Sequence, residues 1–148
     1  MARYALLTDI HANREAFEAV LADLAGRGIT RIVILGDIVG YGPDPGWCVD
    51  RAMALAGEGA VIVKGNHDAA CVGKLELSWF HDAARAAIRW TRDQLGFAEL
   101  DWLRRLPLVE TVGPFTLVHG SLRQPERFEY LVEIGQAIDT LSVCRTLM

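Results

Sequence analysis

The chain has 148 residues, enough for one domain that buries about 68–70% of its unfolded surface, and 51% of them are hydrophobic, which excludes a disordered coil. A formal charge of −4 without any Lys/Arg block excludes charge-driven binding of duplex nucleic acid or an anionic membrane. Cys48, Cys71 and Cys144 are widely spaced and form no CxxC pair, so a disulfide framework and a cysteine zinc site are excluded; buried or half-buried free thiols are expected.

Met1-Ala2-Arg3 leads directly into Tyr4-Ala5-Leu6-Leu7, an apolar run too short for a signal peptide or a membrane span, which points to the cytoplasm. Tyr4 to Thr8 predicts a short buried strand. Asn13 then caps a helix whose apolar stripe is Phe17, Val20, Leu21 and Leu24 and which Gly26 and Gly28 end. Arg31 to Leu35 is a continuous aliphatic run of the kind that a parallel sheet buries on both faces. Strand, helix and strand form the opening unit, with a right-handed crossover.

Gly40-Tyr41-Gly42-Pro43-Asp44-Pro45 is dense in turn formers and reads as a loop, followed by a helix from about Trp47 to Leu55. Ala60 to Lys64 is a third buried strand. Phe80, Ala84, Ala87, Ile88, Thr91 and Leu95 share one face of a long helix, and Leu100, Leu103 and Leu106 continue a helical hairpin as far as Pro107. Phe115 to Val118 is a strand, and Leu131, Ile134, Ile138 and Leu141 are spaced as a helix. Cys144 to Met148 reads as the approach to another strand.

Four clusters of metal-ligating side chains each follow one of these aliphatic runs: Asp9-Ile10-His11, Gly36-Asp37, Gly65-Asn66-His67-Asp68 and His119-Gly120. Side chains at the carboxyl ends of neighbouring parallel strands converge on one crevice, so a metal site is the simplest reading. Asp9 and His11 both reach the crevice from a strand terminus, and Asp37 adds a carboxylate able to bridge two cations. Asn66 offers a neutral oxygen ligand and His67 a proton donor or ligand. Three of the four histidines lie in these clusters. The fourth, His81, starts a helix and reads as structural. Asn13 serves as a helix cap or touches a phosphate, and Arg123 and Arg127 read as solvated surface arginines before contacts to a substrate phosphate. Asp68 orients His67 or is an exposed turn carboxylate. The four Trp residues read as packing groups on helical faces rather than base-stacking ones.

In this order, the clusters resemble the calcineurin-like metallophosphoesterase family over essentially the whole chain. The resemblance implies two packed mixed β-sheets flanked by helices, an α/β sandwich, around a two-metal site. It implies that Asp9 and His11 hold one divalent ion, that Asn66 and His119 hold the other, and that Asp37 bridges them. It also implies that His67 and Asn66 contact the phosphate, with His67 donating to the leaving oxygen. Two cations about 3.5–4 Å apart acidify a water between them and clamp the phosphoryl oxygens. Mixed oxygen and imidazole ligands favour Mn, Fe or Zn.

Ile38-Val39-Gly40-Tyr41 stands where protein Ser/Thr phosphatases of the superfamily carry Asp-Arg, which makes a protein phosphatase the third reading. The run resembles the bacterial phosphodiesterase-like branch, as do His119-Gly120-Ser121 and Glu129-Tyr130-Leu131. The family's Gly-His-x-His does not occur, so the resemblance implies one domain, residues 1–148, that is short at its C-terminus, with an incomplete second sheet and one histidine fewer on each metal. An apolar face left open in this way could be covered by a homodimer. The first reading is therefore a metal-dependent phosphodiesterase or phosphatase acting on small phosphate esters or nucleotides. The alternative is a metal-poor family member that serves as a protein-interaction scaffold.

Overall fold

The computed structural model of the chain describes residues 3–146. The first strand, β1 (Tyr4–Leu7), is followed by α1 (Arg14–Gly26), β2 (Arg31–Ile34), α2 (Pro45–Gly57) and β3 (Val61–Ile62). These three strands form a parallel sheet in the order β1-β2-β3, with Leu6 opposite Val33 and Ile34 opposite Ile62. Because β2 lies in the middle, Val33 and Ile34 are buried on both faces, at 2% and 0% exposure. That is the continuous aliphatic signature expected of a central parallel strand.

Both crossover helices contribute to a core on one face, where Phe17 of α1 and Val49, Ala52 and Leu55 of α2 meet Ile34 and Ile62. The helical hairpin completes this layer. Its first arm, α4 (Asp82–Gln94), buries Ala84, Ile88 and Thr91, and its second, α5 (Phe97–Arg105), buries Leu103. Phe80 and Leu95 flank α4 and are buried with them, so the predicted apolar face holds over its length. Leaving one of the larger apolar side chains here, Phe80, Ile88, Leu95 or Leu103, in water instead would cost about 1.5–3 kcal/mol.

Of the α1 stripe, Phe17 is buried, Leu21 and Leu24 are half-buried, and Val20 is 42% exposed. The reason is topological: β1 is an edge strand, and among the described residues no further strand lies beyond it for Val20 to cover. Asn13 caps α1 as expected, its Oδ1 accepting from Ala16 N–H at 3.0 Å. Pro45 begins α2 two residues before the predicted start, in the first-turn position where its missing N–H costs nothing.

Besides the 3₁₀ turns Leu77–Trp79 and Pro125–Arg127, one helix and one strand are absent from the sequence reading. The Gly65 cluster opens a six-residue helix, α3 (Asn66–Cys71), every residue of which is buried. The strand β5 (Phe115–Val118) has an antiparallel partner, β4 (Val109–Val112), with Val112 opposite Phe115 across the Gly113-Pro114 turn. Gly113 has φ +57°, which suits a tight hairpin. Val33 and Val63 meet Leu117 on the side of the parallel sheet away from the first core, so the two sheets pack face to face. This is the two-sheet α/β sandwich.

The expected approach to another strand at residues 144–148 is not what forms: α6 (Ile134–Thr146) runs through Cys144, Arg145 and Thr146, while Leu147 and Met148 lie outside the described residues. No Gly or Pro interrupts residues 136–146, so a helix once nucleated simply propagates. The sheet pair is open at one side. Leu6 is 63% and Phe115 55% exposed, beside a cavity of about 450 Å³ that Tyr4, Leu35 and Val112 also line. No described helix is long and apolar enough to cross a membrane.

Candidate metal centre

The four clusters meet at one end of the parallel sheet. After β1 the chain turns through Asp9, His11 and Ala12, all in the left-handed region (φ 55°, 50° and 56°), and Asp37 after β2 has φ 53°. Non-glycine residues avoid this region, and their concentration here marks a site whose backbone the surroundings hold in place. Cross-bonds do the holding: Asp9 N–H donates to Gly36 O, His11 N–H to Asp37 O and Ala12 N–H to Ile38 O, at 3.2, 2.9 and 2.9 Å.

Asp68 anchors the second turn. Its Oδ2 accepts from the N–H groups of Asp37 and Gly65, both at 2.9 Å, and its Oδ1 from Ile38 and Val39 at 2.9 and 3.2 Å. The residue is fully buried, so it is not an exposed turn carboxylate, and these bonds orient the Asp37 backbone rather than the His67 ring. Asp37 in turn commits Oδ1 to His67 N–H at 2.8 Å, which leaves Oδ2 free to face the crevice. Gly65 fits between them because a Cβ there would lie 2.0 Å from Asp37 Oδ1.

Two imidazoles face that free oxygen. His11 Nδ1 pairs with Val39 O at 3.2 Å and His119 Nδ1 with Leu35 O at 2.6 Å; a carbonyl only accepts, so both rings donate from Nδ1 and present the Nε2 lone pair inward. His11 Nε2 is 3.8 Å and His119 Nε2 3.7 Å from Asp37 Oδ2. Asp9 Oδ1 is 3.6 Å from His11 Nε2, and Asn66 Oδ1 is 3.0 Å from His119 Nε2. Electron-pair donors thus converge around each Nε2, and the donor set of carboxylate, amide oxygen and imidazole suits a divalent metal.

The structure brings Asp9, His11, Asp37, Asn66, His67 and His119 together. Within 4.8 Å the ligand atoms form two sets that share Asp37, one with His11 and His67 and one with Asp9 and His119. The expected pairing put Asp9 with His11, so Asp9 lies within reach of both positions. Asn13 stays at the head of α1 as its cap and is exposed.

Electrostatics agree with a site built for cations. Burial, and then the neighbouring Asp68 charge, push Asp37 up to about 8. Complete burial pushes Asp68 up as well, but its four N–H donors favour the ion, so the shared proton belongs on Asp37. A bound metal would displace it. Burial, then His11 and His119, lower His67 to about 4, so its ring is neutral near pH 7.

His67 sits in an aromatic pocket, with ring centroids of Tyr41, His11 and Phe80 at 4.7, 4.8 and 5.1 Å. Its Nδ1 is buried without a partner. Gly40, at φ +100°, lets the loop pass over it, since a Cβ would meet Nδ1 at 2.4 Å. Sequence reasoning missed Tyr41 and Phe80 as neighbours of this ring; the turn-rich loop around Gly40 was the available signal for the first.

His81 caps α4, accepting from Ala84 N–H at 3.3 Å, and its Nε2 lies 3.4 Å from the Tyr41 hydroxyl. Arg123 pairs with Glu129 at 3.3 Å and Asp139 at 3.2 Å, tying the loop after β5 to α6. Cys48 and Cys71 are buried and Cys144 half-buried, all as free thiols.

Comparison with known proteins points the same way. A metallophosphoesterase from Sphaerobacter thermophilus is 48% identical in sequence with a TM-score of 0.69, covering 86% of this chain and 50% of that one. An uncharacterized protein of Methanocaldococcus jannaschii is 40% identical over 131 residues, 86% of this chain and 53% of its own length. A symmetrical bis(5'-nucleosyl)-tetraphosphatase of an Acidovorax species is 33% identical over 139 residues, 86% of this chain and 47% of the relative. The chain thus spans about half the length of these relatives. The profile of the calcineurin-like phosphoesterases matches residues 2–141, and with its two-sheet fold the chain belongs to that family.

Proposed function

We propose that the chain hydrolyses phosphate esters of small molecules or nucleotides, with two divalent cations, Mn, Fe or Zn, held across Asp37. The observation that carries this is Asp37 Oδ2 lying between His11 Nε2 and His119 Nε2, at 3.8 and 3.7 Å, while Oδ1 is committed elsewhere. Asp9 and His11 would hold one ion, and Asn66 and His119 the other. When bound, two such ions acidify a water and offset phosphoryl charge.

The chain's own residues do the rest. Asp37, fixed through Asp68, sets the spacing of the two positions. Asn66 and His67, at the head of α3, face the phosphate, and Asn13 stands at the outer edge of the crevice. His67, kept neutral near pH 7 by burial, would offer a ring N–H as a hydrogen bond to the leaving oxygen.

Nucleotides suit this reading because the Acidovorax relative is named for a dinucleoside polyphosphate. A cytoplasmic location goes with three unpaired thiols. The rival reading, an interaction scaffold, draws on the open face beside Leu6 and Phe115, which a homodimer would cover.

The test is Mn²⁺-dependent hydrolysis of bis-p-nitrophenyl phosphate by this chain, with Asp37→Asn as control. Turnover that disappears in the variant supports the enzyme. A folded chain that turns over no faster than the variant overturns it in favour of the scaffold.

A further inference from the structure

Three of the six exposed aromatic residues among the described ones share one groove, while Trp90, Phe97 and Phe115 lie elsewhere. Tyr41, Trp79 and Tyr130, at 49%, 60% and 72% exposure, all line one groove of about 330 Å³ whose lining also includes Asn66 and His67. Trp79 sits in the 3₁₀ turn Leu77–Trp79, where its ring lines this groove and not the core. Trp79 and Tyr130, the two more exposed of the three, leave apolar ring area in water beside the candidate metal ligands, while Tyr41 packs on His11 and His67 with part of its ring still open. A ligand with a planar apolar face would cover that area.

Two further features fit the same ligand. Arg127 also lines the groove, and among the described residues its guanidinium makes no hydrogen bond or ion pair. A guanidinium plane stacks on bases and matches phosphate oxygens. The volume lies at the small end of ligand sites, about 300–1,000 Å³, which suits one nucleoside.

We propose that this groove is the subsite for the base of a nucleoside esterified to the scissile phosphate, stacked on Trp79 and Tyr130 with Arg127 alongside. The inference rests on the phosphoesterase reading and names the residues that select its substrate. Tyr41, whose ring also packs on His67, ties the subsite to the reacting phosphate. No reacting group comes from the groove itself; it selects among esters by what they carry.

The experiment compares AMP and ribose 5-phosphate as inhibitors of Mn²⁺-dependent bis-p-nitrophenyl phosphate hydrolysis. AMP should bind about 5- to 150-fold more tightly, the worth of one base stack. In the Trp79→Ala/Tyr130→Ala variant, whose altered side chains are both exposed, the preference should collapse toward unity while the ribose 5-phosphate Ki stays in place. Equal Ki values in the parent chain, or a preference that survives in the variant, would overturn the proposal. Should the parent show no turnover, the phosphoesterase reading fails by itself. The groove is then read directly by tryptophan fluorescence: quenching by AMP but not by ribose 5-phosphate, weakened in Tyr130→Ala, which keeps Trp79 as the reporter, upholds base binding in the groove, and no quenching overturns it.

Discussion

Asp68→Asn tests the idea that one buried carboxylate sets the geometry of the whole centre. Each Asp68 oxygen accepts two backbone N–H groups, so whichever oxygen becomes an amide, two donors lose their partner and face a third. Hydrogen bonds to charged groups are worth about 1.5–3 kcal/mol each, a gross loss of about 3–6 kcal/mol. Removing a buried charge beside Asp37 offsets part of this, leaving a net destabilisation of about 2–4 kcal/mol. The loosened Asp37 turn should also weaken Mn²⁺ binding by about 10- to 100-fold, although Asp68 touches no ion. Urea unfolding and calorimetric Mn²⁺ titration read the two effects separately. A variant within about 0.5 kcal/mol of the parent, with unchanged Mn²⁺ affinity, would refute the positioning role.

Asp37 makes the metal-free protein pH-sensitive. Its folded-state pKa of about 8 lies above the ordinary 3.8, so between these values the folded chain holds a proton that the unfolded chain has released. That stability is complete below the unfolded pKa and is lost as pH rises toward 8. Thermal melts in chelator should therefore give a lower Tm at pH 8 than at pH 6, with the gap narrowing once Mn²⁺ is added; a Tm that rises over this interval in chelator contradicts the assignment. Burial pushes the Cys48 and Cys71 thiols up to about 12, leaving about one thiolate in ten thousand at pH 8. Iodoacetamide should thus label Cys144 alone in the folded chain and all three thiols in denaturant; fast native labelling of Cys48 or Cys71 would show that those sites open.

Much of the centre was legible because its residues sit at the ends of aliphatic runs. Tyr4–Leu7, Arg31–Ile34 and Phe115–Val118 form strands where their β-branched and aliphatic content predicts, and Asp9, Asp37 and His119 follow from that placement. The Gly65 cluster was recognised as chemistry but not as a helix, since six residues carry too little periodicity to reveal one. Val109–Val112 escaped notice because only Val112 is even partly covered, so no alternation of burial marks it. Cys144 to Thr146 read as the approach to a strand, whereas continuity with the preceding turns made them helix.

The sequence by itself determined the parallel sheet, the helical hairpin and the set of residues that gather at the strand ends, because each depends on periodicity or on neighbours a few positions away. Only the tertiary structure decided what those residues do to one another. Asp68 reaches back about 30 positions to hold Asp37, Ile38 and Val39, and His119 Nδ1 meets Leu35 O across a separation of 84. Tyr41, Trp79 and Tyr130 converge on one groove from three separate loops. Such contacts arise from how the two sheets and their helices pack, and no local pattern of residues encodes a distance between segments that meet only after the core has closed.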